Sequence, residues 1–141
     1  MGSLLSTSVE DLKNVFMIAA TNRPDIIDPA VLRPGRLGLH LYVPVPTEVD
    51  RLEILKTVTR KLPLSNDVNL EEVAAHPKLQ DFTGADLAHF CENAAKLAAW
   101  DDLRTEHKIQ KRDFEVSLDR TFSSVSKEDM KYYRELTGKF R

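Results

Sequence analysis

The residues of this chain whose types and spacing could do chemistry cluster in one short stretch, Ala19 to Arg36, "AATNRPDIIDPAVLRPGR". Arg33 and Arg36 flank a Pro-Gly pair, and Asn22 follows a short apolar run. A guanidinium is planar, always charged and suited to two-pronged contact with phosphate oxygens. Two of them, on a loop stiffened by Pro34 and turned by Gly35, can reach a ligand held by another molecule, as arginine fingers do in phosphoryl transfer. The Asn22 amide both donates and accepts, so it can orient a water or touch a phosphate oxygen. The spacing also fits a plainer account. Asn22-Arg23-Pro24-Asp25 makes a turn, and arginines on a surface loop are usually only solvated. Spacing alone leaves both accounts open.

The elements that would position these groups are short. Asn14 to Ala20, "NVFMIAA", reads as a strand buried on both faces, of the kind found inside parallel sheets. Asn22 would then stand at its carboxyl end, where α/β sheets bind ligands. Asp28-Pro29 is a good helix start, and Pro34-Gly35 would stop that helix quickly. Leu39 to Val43, "LHLYV", alternates as a second strand, closed by Pro44 and Pro46.

From Thr47 the pattern is helical. Thr47 with Asp50 is a capping-box start, and Leu52, Leu55, Val58 and Leu62 recur at helical spacing. Asn69 with Glu72 begins a short helix that stops before Pro77. Thr83 with Asp86 begins a longer one carrying Leu87, Phe90, Cys91, Ala94, Leu97 and Ala98 on one face. A fourth helix is expected over Lys111 to Phe122. A fifth is expected from Ser126 and Asp129, with Met130, Tyr133, Leu136 and Phe140 along it. The fold class is therefore an α/β remnant over residues 1–46 followed by an all-α subdomain over 47–141. The helical part should fold as an independent bundle. The strand at 14–20 lacks sheet neighbours, so it should be rearranged, paired with another copy or loosely held.

Composition narrows the function classes. The 141 residues are 42% hydrophobic and 30% charged, with a formal net charge of -2, so no global basic field argues for nucleic acid. His107, Lys108, Lys111 and Arg112 read as a solvated loop face. No apolar run is long enough to cross a membrane. The single cysteine, Cys91, excludes an internal disulfide and reads as a small core residue. The four histidines show no paired metal spacing, and no metal site is assigned. Trp100 should pack at the end of the long helix's apolar face or at a subunit contact.

"VFMIAATNRPDIIDPAVLRPGRL" resembles the second region of homology of the AAA ATPases almost residue for residue. "DRLEILKTVTRKLPLSNDVNLEEVA" resembles the start of that family's helical lid, and "FTGADLAHFCENAAKLAA" its third lid helix. The likeness covers about residues 10 to 140 and looks closest to two-ring members similar to valosin-containing protein, especially their second ATPase domain. Nuclear ribosome-assembly and peroxisomal import ATPases are two candidate subgroups. The resemblance implies that Asn22 is the sensor-1 asparagine near the γ-phosphate. It implies that Arg33 and Arg36 are arginine fingers reaching the nucleotide of the adjacent subunit in a homo-hexamer. It also implies that Ile54, Val58, Gly84 and Ala85 line adenine and ribose, although on local pattern alone Ile54 and Val58 read as core. ATP and Mg²⁺ would be used by the parent protein, with protein substrates or adaptors as partners, in the cytoplasm or nucleus.

Three departures qualify the likeness. Gly38 stands where the family usually has Asp or a similar residue. Val58 replaces a frequent His and so offers the ribose no hydrogen bond. The sequence contains no GxxxxGK[ST] loop to cradle the β- and γ-phosphates, and no apolar strand ending in Asp-Glu to anchor Mg²⁺. The expectation is thus a carboxyl-terminal part of an ATP-driven remodelling machine, unable by itself to hydrolyse ATP. The alternative is a non-catalytic helical module for partner binding or assembly. A phosphate-binding loop within about 130 residues upstream of Asn14 would decide for the enzyme.

Overall fold

The computed structural model describes residues 15–101, 103 and 105–137, with residues 136 and 137 described by backbone alone. Asn14, the Leu136 side chain and Phe140, each placed in an element above, lie outside the described residues. The chain divides into two compact units that part between Tyr42 and Val43.

The carboxyl-terminal unit is built from five helices: α1 (Glu48–Thr59), α2 (Leu70–Ala74), α3 (Gly84–Ala99), α4 (Lys111–Arg120) and α5 (Lys127–Thr137). Their starts are set by side-chain caps, which satisfy backbone N–H groups that have no partner inside the helix. At α1 the Asp50 amide donates to the Thr47 hydroxyl at 3.3 Å, and the Thr47 amide donates back to the Asp50 carboxylate at 3.0 Å. Thr83 and Asp86 repeat this reciprocal pair at α3, at 3.2 and 2.9 Å. Asn69 accepts from the Glu71 and Glu72 amides ahead of α2, and the Asp129 amide donates to Ser126 ahead of α5. Helix α4 ends at Arg120 rather than Phe122 because the chain turns extended at Thr121.

The apolar stripe of α3 forms the centre of the core. Leu87, Phe90, Cys91, Ala94 and Ala98 are buried against Leu55 of α1, Ala74 of α2 and Phe114 of α4. Leu97, on the edge of that stripe, is half-buried. The Phe90 and Phe114 rings meet at 5.5 Å between centroids and 48° between planes, a tilted contact that contributes about 1 kcal/mol beyond burial. The loops are tied as well: the Ile109 amide donates to the Pro63 carbonyl and the Ser65 amide to the Ile109 carbonyl, at 2.8 and 2.9 Å. Trp100 does not pack on the α3 stripe; it caps the helix end and is 77% exposed.

Among the described residues the amino-terminal unit forms neither of the strands read from its apolar runs, the first of which was expected to be rearranged, paired with another copy or loosely held for want of sheet neighbours. Neither Val15–Ala20 nor Leu39–Val43 is a strand, and apart from an isolated bridge between Leu64 and Ile109 no β-pairing occurs among the described residues. An apolar run favours burial, but a strand exists only through hydrogen bonds to a neighbour, and none is present here. Phe16 and Ile18 are each 96% exposed. The brief helix expected from Asp28 is also absent. The Asp28 carboxylate does accept from the Ala30 amide at 2.8 Å, but the chain then makes two successive turns, Asp28 to Val31 and Pro29 to Leu32. Pro34 arrives before the costly first turns of a helix can be repaid by propagation. Pro24–Ile26 form a short 3-10 turn.

Candidate functional site

The amino-terminal unit presents the arginines on a tight turn. The Arg36 amide donates to the Arg33 carbonyl at 3.1 Å, and Gly35 has φ of 87°. Proline in the second position and a left-handed glycine in the third are what such a turn requires. The Leu37 amide then donates to the Val31 carbonyl, closing the loop around the turn. Arg33 and Arg36 are both exposed. The Arg36 guanidinium is steadied by the Ala30 carbonyl at 3.1 Å, which occupies one of its five donors and leaves the rest available. Arg23 is used otherwise: it forms a two-pronged pair with Asp25, at 2.9 and 2.8 Å. Asn22 lies in the same unit and is exposed. Gly38 has a local reason that the sequence did not suggest. A Cβ there would sit 3.1 Å from the Pro34 Cα, so a larger residue would require the turn to give by a few tenths of an ångström.

In the helical unit, Ile54 and Gly84 come together. A Cβ built on Gly84 would stand 4.0 Å from the Ile54 Cδ1. Val58, one turn along α1, is half-buried beside the core with Ile54, and Ala85 is exposed next to Gly84. So the first turn of α3 meets α1 along a face with an apolar wall and a bare stretch of backbone. That is the geometry a flat, apolar-faced group can lie against. The four residues assigned to adenine and ribose are thus on neighbouring elements of one unit, and Asn22, Arg33 and Arg36 are all in the other.

Two buried polar clasps start from the same two helices, at Asp86 of α3 and Arg51 of α1. Asp86 is 8% exposed, and its carboxylate accepts from the Thr83 amide and hydroxyl and from the Ser124 amide and hydroxyl. Burial pushes this carboxyl up, and those hydrogen bonds outweigh it and hold it below the ordinary value. The clasp ties the segment before α5 to the first turn of α3. The second is Arg51, 6% exposed, whose guanidinium donates from Nε to the Ala74 carbonyl at 2.9 Å and from Nη1 to the Pro46 carbonyl at 3.2 Å. Sequence reading found the Thr83–Asp86 cap but passed over the Ser124 side of that clasp and the whole of the Arg51 clasp, because those partners lie far along the chain or in the connector.

The remaining reactive residues are quiet. Cys91 is fully buried, and burial pushes its thiol up to about 12. In the basic cluster, His107 contacts the Ala98 carbonyl, Lys108 pairs with Glu106, Lys111 with Glu72 and Arg112 with Asp101. Lys108, Lys111 and Arg112 thus each have a carboxylate partner. No helix among the described residues is long and apolar enough to cross a membrane.

Comparison with known proteins bears on the same regions. The sequence pattern of "ATPase family associated with various cellular activities (AAA)" matches residues 2–45, and that of the "AAA+ lid domain" matches residues 67–116. The chain is 42% identical over 144 aligned positions to the cell division cycle protein 48 homolog of Archaeoglobus fulgidus, covering 94% of this chain and 19% of that protein. It is 43% identical over 126 positions to the ATPase family gene 2 protein homolog B of Bos taurus, covering 89% of this chain and 16% of that protein. The chain therefore spans less than a fifth of the length of these relatives.

Proposed function

The chain belongs to the AAA family of ATPases, and from that premise we propose that it supplies the γ-phosphate sensor, the arginine fingers and the lid of an ATP-driven machine. Arg33 and Arg36 act in trans, on ATP held by the neighbouring subunit of a homo-hexamer. Asn22 orients the water or the γ-phosphate of the subunit's own site. Ile54, Val58, Gly84 and Ala85 bound the base and sugar. The work done is the remodelling or unfolding of protein or ribonucleoprotein complexes, in the cytoplasm or nucleus.

The observation that carries this reading is the Arg33-Pro34-Gly35-Arg36 turn. It fixes the backbone of two neighbouring arginines, exposes both, and steadies Arg36 through a carbonyl, with no carboxylate paired to it among the described residues. Such cations stabilise negative charge that grows on phosphate oxygens in the transition state. The residues for adenine and ribose fit their group, since Gly84 leaves backbone bare beside Ile54. Mg²⁺ has no such fit: no group of three His, Cys, Asp or Glu side chains converges on a metal site among the described residues.

The test uses the protein that carries this sequence together with a phosphate-binding loop. Arg33→Ala and Arg36→Ala should each lower ATP turnover about 10³-fold, the scale of a lost arginine finger. Mixing an arginine variant with a variant lacking the phosphate-loop lysine should restore part of the turnover, because each contributes the half that the other lacks. Residues 1–141 alone should show none. Full turnover in the double arginine variant would refute the assignment.

A further inference from the structure

Arg51 is a buried cation without a buried anion. It sits in the first turn of α1, the end of a helix where the backbone dipole disfavours positive charge. No carboxylate forms an ion pair with it among the described residues; its two hydrogen bonds go to the carbonyls of Ala74 and Pro46. Ala74 is the last residue of α2, so its carbonyl belongs to the end where helix carbonyls lack partners and carry partial negative charge. The guanidinium thus joins three segments: its own helix, the end of α2, and the connector at Pro46. Burying a charge is costly, and an apolar side chain of similar size often serves stability as well or better. The planar fork does something an apolar side chain cannot: it holds two carbonyls at fixed angles to each other.

We infer that Arg51 is a positioning residue that fixes the path of the connector at Pro46, and so the direction in which the chain enters the helical unit. Pro44 and Pro46 stiffen the connector, so an orientation set at Pro46 is carried back along it. Ile54, one turn further along α1, faces Gly84. The clasp therefore holds the connector in register with the face assigned above to the base. Its consequence for turnover rests on the proposed ATPase reading; its consequence for the connector does not.

The experiment has two arms. Spin labels on Val43→Cys, 85% exposed, and Glu92→Cys, on the outer side of α3, report the connector-to-helix distance in the full chain. Native Cys91, buried with its thiol pushed up to about 12, takes no label. Arg51→Met should leave helix content and melting temperature unchanged or raised, while the distance distribution broadens roughly twofold or more. A distribution as narrow as that of the parent chain overturns the inference, as does broadening that only tracks loss of helix. If Arg51→Met does not fold, Arg51→Lys is read in the same way, since a single ammonium cannot span both carbonyls as a fork does. In the second arm, the protein with its phosphate-binding loop should lose roughly tenfold to a hundredfold in kcat with little change in the KM for ATP. An unchanged kcat overturns the link to turnover. Absence of turnover in the parent protein sinks the ATPase reading instead, and the distance arm still decides the role of Arg51.

Discussion

Replacing Gly84 by alanine separates what the first turn of α3 does for the fold from what it does for a ligand. The added Cβ would lie 4.0 Å from the Ile54 Cδ1, an ordinary van der Waals distance, so nothing needs to move. Gly84 is the first residue of α3, after the Thr83 cap, and its φ is not left-handed. Glycine in a helix interior costs about 1 kcal/mol relative to alanine; in the first turn about half of that is expected. Gly84→Ala should therefore stabilise the helical unit by about 0.5 kcal/mol, or about 2–4 °C in melting temperature for a domain of this size. Thermal unfolding followed by circular dichroism on the 141-residue chain reads this directly. A ligand would report the opposite sign. A flat base lying on the bare backbone stacks at about 3.5 Å, and a methyl group would occupy that space. In the protein with its phosphate-binding loop, the KM for ATP should rise about tenfold, equivalent to about 1.4 kcal/mol. A lower melting temperature would show that the space beside Gly84 is not open. A raised melting temperature with an unchanged KM would show that no base approaches there.

The buried polar and thiol groups give two more expected outcomes. Asp86→Asn turns one acceptor oxygen into a donor facing the donors of Thr83 and Ser124, and should cost about 1–3 kcal/mol at pH 7 in urea unfolding. The folded carboxyl lies below its ordinary 3.8, so the advantage of the parent chain is fully present above that value and lost as pH falls through the folded pKa. The gap between parent and variant should stay constant from pH 7 to about 5 and close towards pH 2; a gap that widens on acidification would contradict the geometry. Cys91, with its thiol pushed up to about 12, should react with a disulfide reagent at pH 8 only after urea unfolds the chain, and fast native labelling would place it nearer the surface than it is here.

What could be read from the sequence was what is decided locally. The pairs Thr47 with Asp50, Thr83 with Asp86 and Ser126 with Asp129 span three residues each, and their hydrogen bonds form as read. The α3 stripe was legible because its period is that of a helix, and Leu87, Phe90, Cys91, Ala94 and Ala98 are all buried. The apolar runs at 14–20 and 39–43 misled because they report a tendency to be buried, whereas a strand also needs a partner that no local pattern specifies. Arg51 was passed over because its acceptor, Ala74, lies 23 residues on. One signal was available: an arginine in the first turn of a helix runs against the dipole and asks for an explanation. Of the candidate site, the Pro-Gly turn and the meeting of Ile54 with Gly84 emerge in the structure, while the reach proposed for Arg33 and Arg36 would depend on a second subunit that no single chain contains.

The two clasps bear on how such a site can be both firm and responsive. Asp86 is two residues from Gly84, and its carboxylate is shared between the cap of α3 and the Ser124 segment that leads into α5. A ligand on the first turn of α3, as proposed above, would therefore be linked to the lead into α5 through the Asp86 hydrogen bonds. Arg51 binds carbonyls on two segments, so a shift of α1 against α2 would have to break one of its hydrogen bonds or carry Pro46 along. The core around Phe90 and Phe114 is closely packed and resists deformation. Ser117, buried in that core, spends its hydroxyl on the Phe90 carbonyl, whereas Asp86 and Arg51 reach out to the lead into α5 and to the connector.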